Sequence, residues 1–89
     1  MAVHPFDFAL QLSDDGPADE MLRELARSVL RHVGYGADTI GELVSLMRAE
    51  RARAPRGAAC RLRFVVHEGE LQIAVTCAGR EWHTSRPLP

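Results

Sequence analysis

The sequence predicts a two-layer α+β sandwich of order β-α-α-β-β, with an antiparallel or mixed sheet covered on one face by two helices. Three observations lead there. Apolar residues alternate with polar ones over residues 6–12, 60–66 and 71–77, the period of a half-buried strand. Between the first and second of these stretches the period changes to that of a helix, with Leu22, Leu25, Ala26, Val29, Leu30 and Val33 at i, i+3, i+4, i+7, i+8 and i+11. Glycine and proline fall outside these four stretches.

The first strand is expected over 5–12, where Phe6, Phe8, Leu10 and Leu12 share a face and Asp7, Ala9 and Gln11 take the other. The SDDGP segment then breaks the chain. Pro17 suits the first position of a helix, and Asp19 and Glu20 suit the positive end of its dipole. The helix runs over 17–33, with Arg23, Glu24, Arg27 and Arg31 on its polar side, and Gly34 and Gly36 end it. A second helix is expected over 38–53, capped by Asp38 or Thr39, with Ile40, Leu43, Val44, Leu46 and Met47 as its apolar stripe. Residues 53–59 form a loop. Cys60, Leu62, Phe64 and Val66 then mark a strand ending near His67, and Glu68-Gly69 makes a two-residue turn into a strand carrying Leu71, Ile73, Val75 and Cys77. After a turn at 78–82, residues 83–89 are a surface tail or a docking strand.

The chain has 89 residues, 46% hydrophobic and 26% charged, with a formal net charge of −1, which makes one domain and no obvious nucleic-acid binder. No apolar run reaches the roughly 18 residues of a membrane span, and the N-terminus does not read as a secretory leader. A cytoplasmic location is therefore expected.

The order and spacing of "FDFALQL", two helices and "CRLRFVVHEGELQIAVTCAG" resemble the histidine-kinase-like ATPases of the GHKL type, above all the small anti-sigma factor serine kinases, over about residues 6–82. In that family a helix carries Glu-x-x-x-Asn and the hairpin ends in Asp-x-Gly-x-Gly-Phe. The resemblance implies a nucleotide site, and this chain departs from it at nearly every position. Ala49 and Arg53 stand where the Glu and the Mg²⁺-holding Asn belong, and the chain contains no Asn. Cys77 stands for the adenine-reading Asp, Gly79 keeps the first glycine, Glu81 replaces the second and Trp82 the aromatic. The family's lid and second Gly-rich motif do not follow. An arginine repels Mg²⁺, and a thiol is a poor acceptor for an adenine amino group. No phosphoryl-transfer chemistry, metal or cofactor is expected.

The remaining candidates concern partners. Arg48, Arg51, Arg53, Arg56, Arg61 and Arg63 cluster with only Glu50 against them. They read as a solvated helix end and loop or as a dock for an acidic protein, and less readily for nucleic acid, which would need aromatic stacking partners. Trp82 either caps the core or anchors an interface. His4, His32, His67 and His83 lie in different elements without metal-ligand spacing. With the Glu68-Gly69 turn, Cys60 faces Cys77 in a non-hydrogen-bonded pair. Two reduced, buried thiols are expected there, with a redox-switched disulfide as the alternative. The function expected is a non-catalytic regulatory or protein-interaction module that forms homodimers. The alternatives are a nucleotide-binding domain completed by another chain and a small basic-patch nucleic-acid binder.

Overall fold

The computed structural model describes residues 4–12 and 18–89. Its elements are β1 (Phe6–Leu12), α1 (Ala18–Val33), α2 (Ala37–Ala52), β2 (Cys60–His67), β3 (Glu70–Cys77) and β4 (Arg80–Pro87). The SDDGP break and the helix start at Pro17 lie outside the described residues. The two-layer α+β architecture is as expected, with one strand more.

The four strands form one antiparallel sheet in the order β1-β2-β3-β4. The antiparallel pairing of β1 with β2 follows from the connection. Two helices in sequence carry the chain down and up again, so β2 enters the sheet running opposite to β1. Both later connections are two-residue hairpins. Glu68 and Gly69 have φ of 51° and 76°, and Ala78 and Gly79 have φ of 51° and 79°. Two successive positive φ values make the type I′ turn, whose twist matches that of paired strands.

β4 corrects the expected turn at 78–82 and, of the two readings of 83–89, a surface tail or a docking strand, agrees with the second. It pairs along β3 from Cys77↔Arg80 to Glu70↔Pro87. Its inward row is Trp82, Thr84 and Arg86, facing Val75, Ile73 and Leu71 across the ladder. One aromatic, one hydroxyl and one cation do not make an apolar alternation, so the strand has no hydrophobic period to read.

The core lies between the inward sheet face and the helices. Leu22, Ala26 and Leu30 of α1, Leu43 and Met47 of α2, Leu62 and Phe64 of β2, and Leu71 and Ile73 of β3 are fully buried. Leu46, expected in the α2 stripe, is 37% exposed. At about 100° per residue it sits roughly 110° from the centre of the stripe set by Ile40, Leu43, Val44 and Met47. The helices meet through a glycine-terminated cap: Gly34 N–H donates to Arg31 O at 3.0 Å and Tyr35 N–H to Leu30 O at 3.1 Å, with Gly34 at φ 111°. The N-cap of α2 is Gly36 with no side-chain cap, not Asp38 or Thr39, which fall inside the helix.

Candidate functional site

The end of β3, where the resemblance places an adenine-reading carboxylate, is closed. Cys77 is bonded to Cys60 in a disulfide, and the two residues are 6% and 2% exposed. The facing of the two residues is as the hairpin turn dictated, and their Cα separation of 4.3 Å is that of a non-hydrogen-bonded antiparallel pair. The expectation of two reduced thiols is corrected: the side chains of this pair approach more closely than any other kind across a sheet, close enough for the bond. Gly79 is the second residue of the β3–β4 turn, and Glu81 projects from the exposed face of β4.

The C-terminal part of α2 does reach this strand end. Glu50 and Ala54 line a cavity with Cys77, Arg80, Glu81 and Trp82, but its volume is only about 30 Å³. Sites for small molecules and cofactors run to about 300–1,000 Å³. Ala49 is exposed on α2, and Arg53 is the helix C-cap, its guanidinium 3.2 Å from Glu50. Trp82 is half-buried and packs on the core from β4.

The arginine cluster that looked continuous in sequence is divided in space. Arg48 donates to Asp19 Oδ2 at 2.8 Å and 3.1 Å, and Arg51 lies 3.8 Å from the same carboxylate, so both tie the end of α2 to the start of α1. Arg51 is largely buried, its side chain 18% exposed. Arg56 is exposed in the loop after α2, beside a hollow of about 230 Å³ that also touches Arg51 and Cys60. Arg63 is on the outer sheet face, where its Nε donates to Asp7 Oδ1 at 2.9 Å and its terminal nitrogen to Oδ2. This bidentate hydrogen bond holds the Asp7 carboxyl below its ordinary value and raises Arg63.

Three further surfaces are shaped. The outer sheet face carries a hollow of about 360 Å³ bordered by Arg63, Val65, Gln72, Ala74, Glu81 and His83. Beside β1, a shallow apolar shelf is made by Phe6, Phe8, Val29 and His32, with Phe8 39% exposed. Between the helices lies a groove of about 350 Å³. Arg23, Arg27 and Arg31 form its α1 wall, Ala37, Gly41 and Ser45 its α2 side, and Arg48 one end. The sequence placed the α1 arginines on a polar helix side and did not group them with α2. Their i, i+4, i+8 spacing is the signal that could have found them, together with the same spacing of small residues in α2.

Tyr35 closes the other end of this groove. Its hydroxyl donates to Pro87 O at 2.8 Å, tying the helix–helix link to the end of β4, and burial raises its pKa against the opposing charge of Arg86. Arg86 reaches Glu42 of α2 at 3.3 Å, while its Nε is buried without an acceptor. Among the described residues no three His, Cys, Asp or Glu side chains converge on a metal position, and no helix is long and apolar enough to cross a membrane. No model of a known protein family matches the chain, and no curated protein matches it.

Proposed function

We propose that this chain is a non-catalytic regulatory or protein-interaction module, on a scaffold that resembles the anti-sigma factor kinases and has lost their nucleotide chemistry. The observation that carries the reading is the closed end of β3. Cys77 is held in a bond with Cys60, and the space between α2 and the β3–β4 turn is about 30 Å³. A disulfide sulfur is at best a weak acceptor, and a space about a tenth of the smallest usual small-molecule site admits no purine. Arg53 stands where the resemblance places the Mg²⁺-holding Asn, and its guanidinium, which cannot ligate a cation, is paired with Glu50.

The reading includes a homodimer in the cytoplasm. It forms through β1, an edge strand whose open side is a pairing surface, or through the outer sheet face, where Ala9, Val65 and Ala74 lie between polar residues. A cytoplasm keeps most thiols reduced. The Cys60–Cys77 bridge is there an oxidisable pair and not a permanent staple. A nucleic-acid role draws less support, because Arg48, Arg51, Arg53 and Arg63 each have a carboxylate of the same chain within ion-pair distance.

Titration calorimetry with millimolar ATP–Mg²⁺ tests the reading. No saturable heat is expected, with the cysteines oxidised or reduced. A micromolar dissociation constant overturns it in favour of a nucleotide-binding domain.

A further inference from the structure

We infer that the groove between α1 and α2 is the docking site for an acidic helix of a partner protein. The inference names a partner chemistry for the interaction module proposed above and rests on that reading. Its evidence is the charge, spacing and relief of one surface.

Arg23, Arg27 and Arg31 stand one above another on α1, a helical turn apart, and all three are exposed. At 1.5 Å per residue they repeat every 6 Å or so over about 12 Å. No carboxylate of the described residues lies within ion-pair distance of any of the three, and no acidic side chain lines the groove. Three neighbouring cations without counterions repel one another. The molecule as a whole is nearly neutral, so this is a local field and not a general excess of positive charge.

The opposite side has the same repeat in a different currency of shape. Ala37, Gly41 and Ser45 follow the same four-residue interval along α2. A Cβ built on Gly41 meets nothing within 4 Å, so the fold itself does not require glycine there. A glycine inside a helix costs about 0.5–1 kcal/mol relative to alanine. What its absence of a side chain does provide is a shallow place where another backbone can come close, since packed helices lie about 8–10 Å apart and the side chains at the contact set where in that range they fall. Ile40 and Val44 supply apolar contact at the base.

These features select the occupant. A guanidinium binds a carboxylate with two parallel N–H···O bonds, so glutamates at i, i+4, i+8 of a third helix match the arginines rung for rung. The apolar, small-residue side receives the neighbouring face of that helix. A nucleic-acid strand fits less well. It needs successive aromatic faces for its bases, and one aromatic, Tyr35, lines the groove.

The test is an NMR titration of the isotopically labelled full chain with three probes. One is an end-capped helical peptide with glutamate at every fourth position and alanine and leucine beside it. The second is its lysine counterpart, and the third is an oligothymidylate of equal negative charge. The acidic peptide should shift the Gly41 amide and the Nε–H signals of Arg23, Arg27 and Arg31 saturably, and the lysine peptide should not. Binding should weaken steeply with salt, as exposed charge contacts do. Arg27→Glu and Gly41→Leu should each weaken binding by about tenfold or more, and Arg56→Ser by less than about twofold. A folded spectrum for each variant separates lost binding from lost structure. No saturable shift, shifts centred on residues 53–63, or tighter binding of the oligothymidylate each overturns the groove assignment. An ATP–Mg²⁺ arm keeps the two readings apart: saturable shifts there overturn the non-catalytic module, while failure of the acidic peptide alone overturns only its partner.

Discussion

Replacing Ala78 tests the β3–β4 turn and, through it, the strand that the sequence did not announce. Ala78 has φ of 51°, in the left-handed region, and Gly79 follows at 79°. An L-residue there carries about 1–2 kcal/mol of steric cost, which asparagine lessens by local hydrogen bonding. Ala78→Asn should therefore stabilise the fold by about 0.5–1 kcal/mol. Ala78→Gly removes the strain outright but frees the unfolded chain by about 0.4–1 kcal/mol, so it should also stabilise, by about 1 kcal/mol or less. Ala78→Val puts a β-branched side chain at positive φ and should destabilise by about 1–3 kcal/mol.

In a domain of this size 1 kcal/mol moves the midpoint by about 4–8 °C, so the asparagine variant should melt about 2–8 °C higher. Calorimetry and urea unfolding followed by the single tryptophan give both the shift and the cooperativity. Asn and Gly both above wild type, with Val lowest, is the ordering that a positive φ at this position dictates. A tolerated valine, or an asparagine that lowers the midpoint, refutes the turn and with it the register that sets Trp82 against Val75. A slip of one residue would turn Trp82 to the outer face, where an aqueous quencher reaches it.

Three other outcomes are expected. Reducing the Cys60–Cys77 bridge, whose cysteines are 17 residues apart, should cost about 3 kcal/mol by loop-closure entropy. A loss below about 1 kcal/mol on reducing the oxidised chain contradicts that value. Because Arg63 lowers the folded-state pKa of Asp7, the unfolded chain takes up this proton at higher pH than the folded one. The contribution is therefore present above the ordinary aspartate range and is lost as pH falls through the depressed folded value. The melting difference between wild type and Asp7→Asn should shrink from neutral pH toward pH 3, and a pH-independent difference would show that the pair is not linked to folding. Light scattering at micromolar concentration should report about twice the chain mass, with Ala9→Arg and Ala74→Arg reducing it. A wild-type monomer would contradict the dimer, and a dimer that survives both variants would place its interface elsewhere.

Much of the fold was legible because burial writes a period into the residues it selects. β2 and β3 alternate fully, and the Glu68-Gly69 turn fixed their pairing down to Cys60 opposite Cys77. Whether two facing thiols are joined is a matter of oxidation, which spacing does not encode. β4 was not legible because an edge strand needs only one contributing face. Thr84 and Arg86 occupy that face beside the last turn of the sandwich, and backbone pairing holds them there. The α2 cap was misplaced because Gly36 supplies the extended backbone a cap needs without a capping side chain. The basic cluster misled for a different reason. Arg48 and Arg51 find Asp19, which is distant in sequence, whereas Arg23, Arg27 and Arg31 sit beside Glu20 and Glu24 in sequence yet pair with neither.

The two surfaces proposed for association lie on opposite sides of the sandwich, and that placement has a consequence. The hollow by Ala74 is on the outer face of the sheet, and the arginine groove is on the helix layer that covers its inner face. A two-fold dimer through the outer sheet face therefore leaves both grooves directed away from the interface, one on each side. A partner with a single acidic helix gains nothing from such an arrangement. A partner gains avidity only if it presents two such helices far enough apart to reach both outward faces, and its second contact is then an intramolecular event worth about 10²- to 10⁴-fold in affinity. The same logic separates this surface from the sheet edges. Pairing through β1 consumes Phe8 and the apolar shelf beside it, while the α2 side of the groove, with Gly41, stays open. Self-association and partner capture thus draw on different residues, so charge reversal at Arg27 and disruption at Ala74 act on separable properties of one small domain.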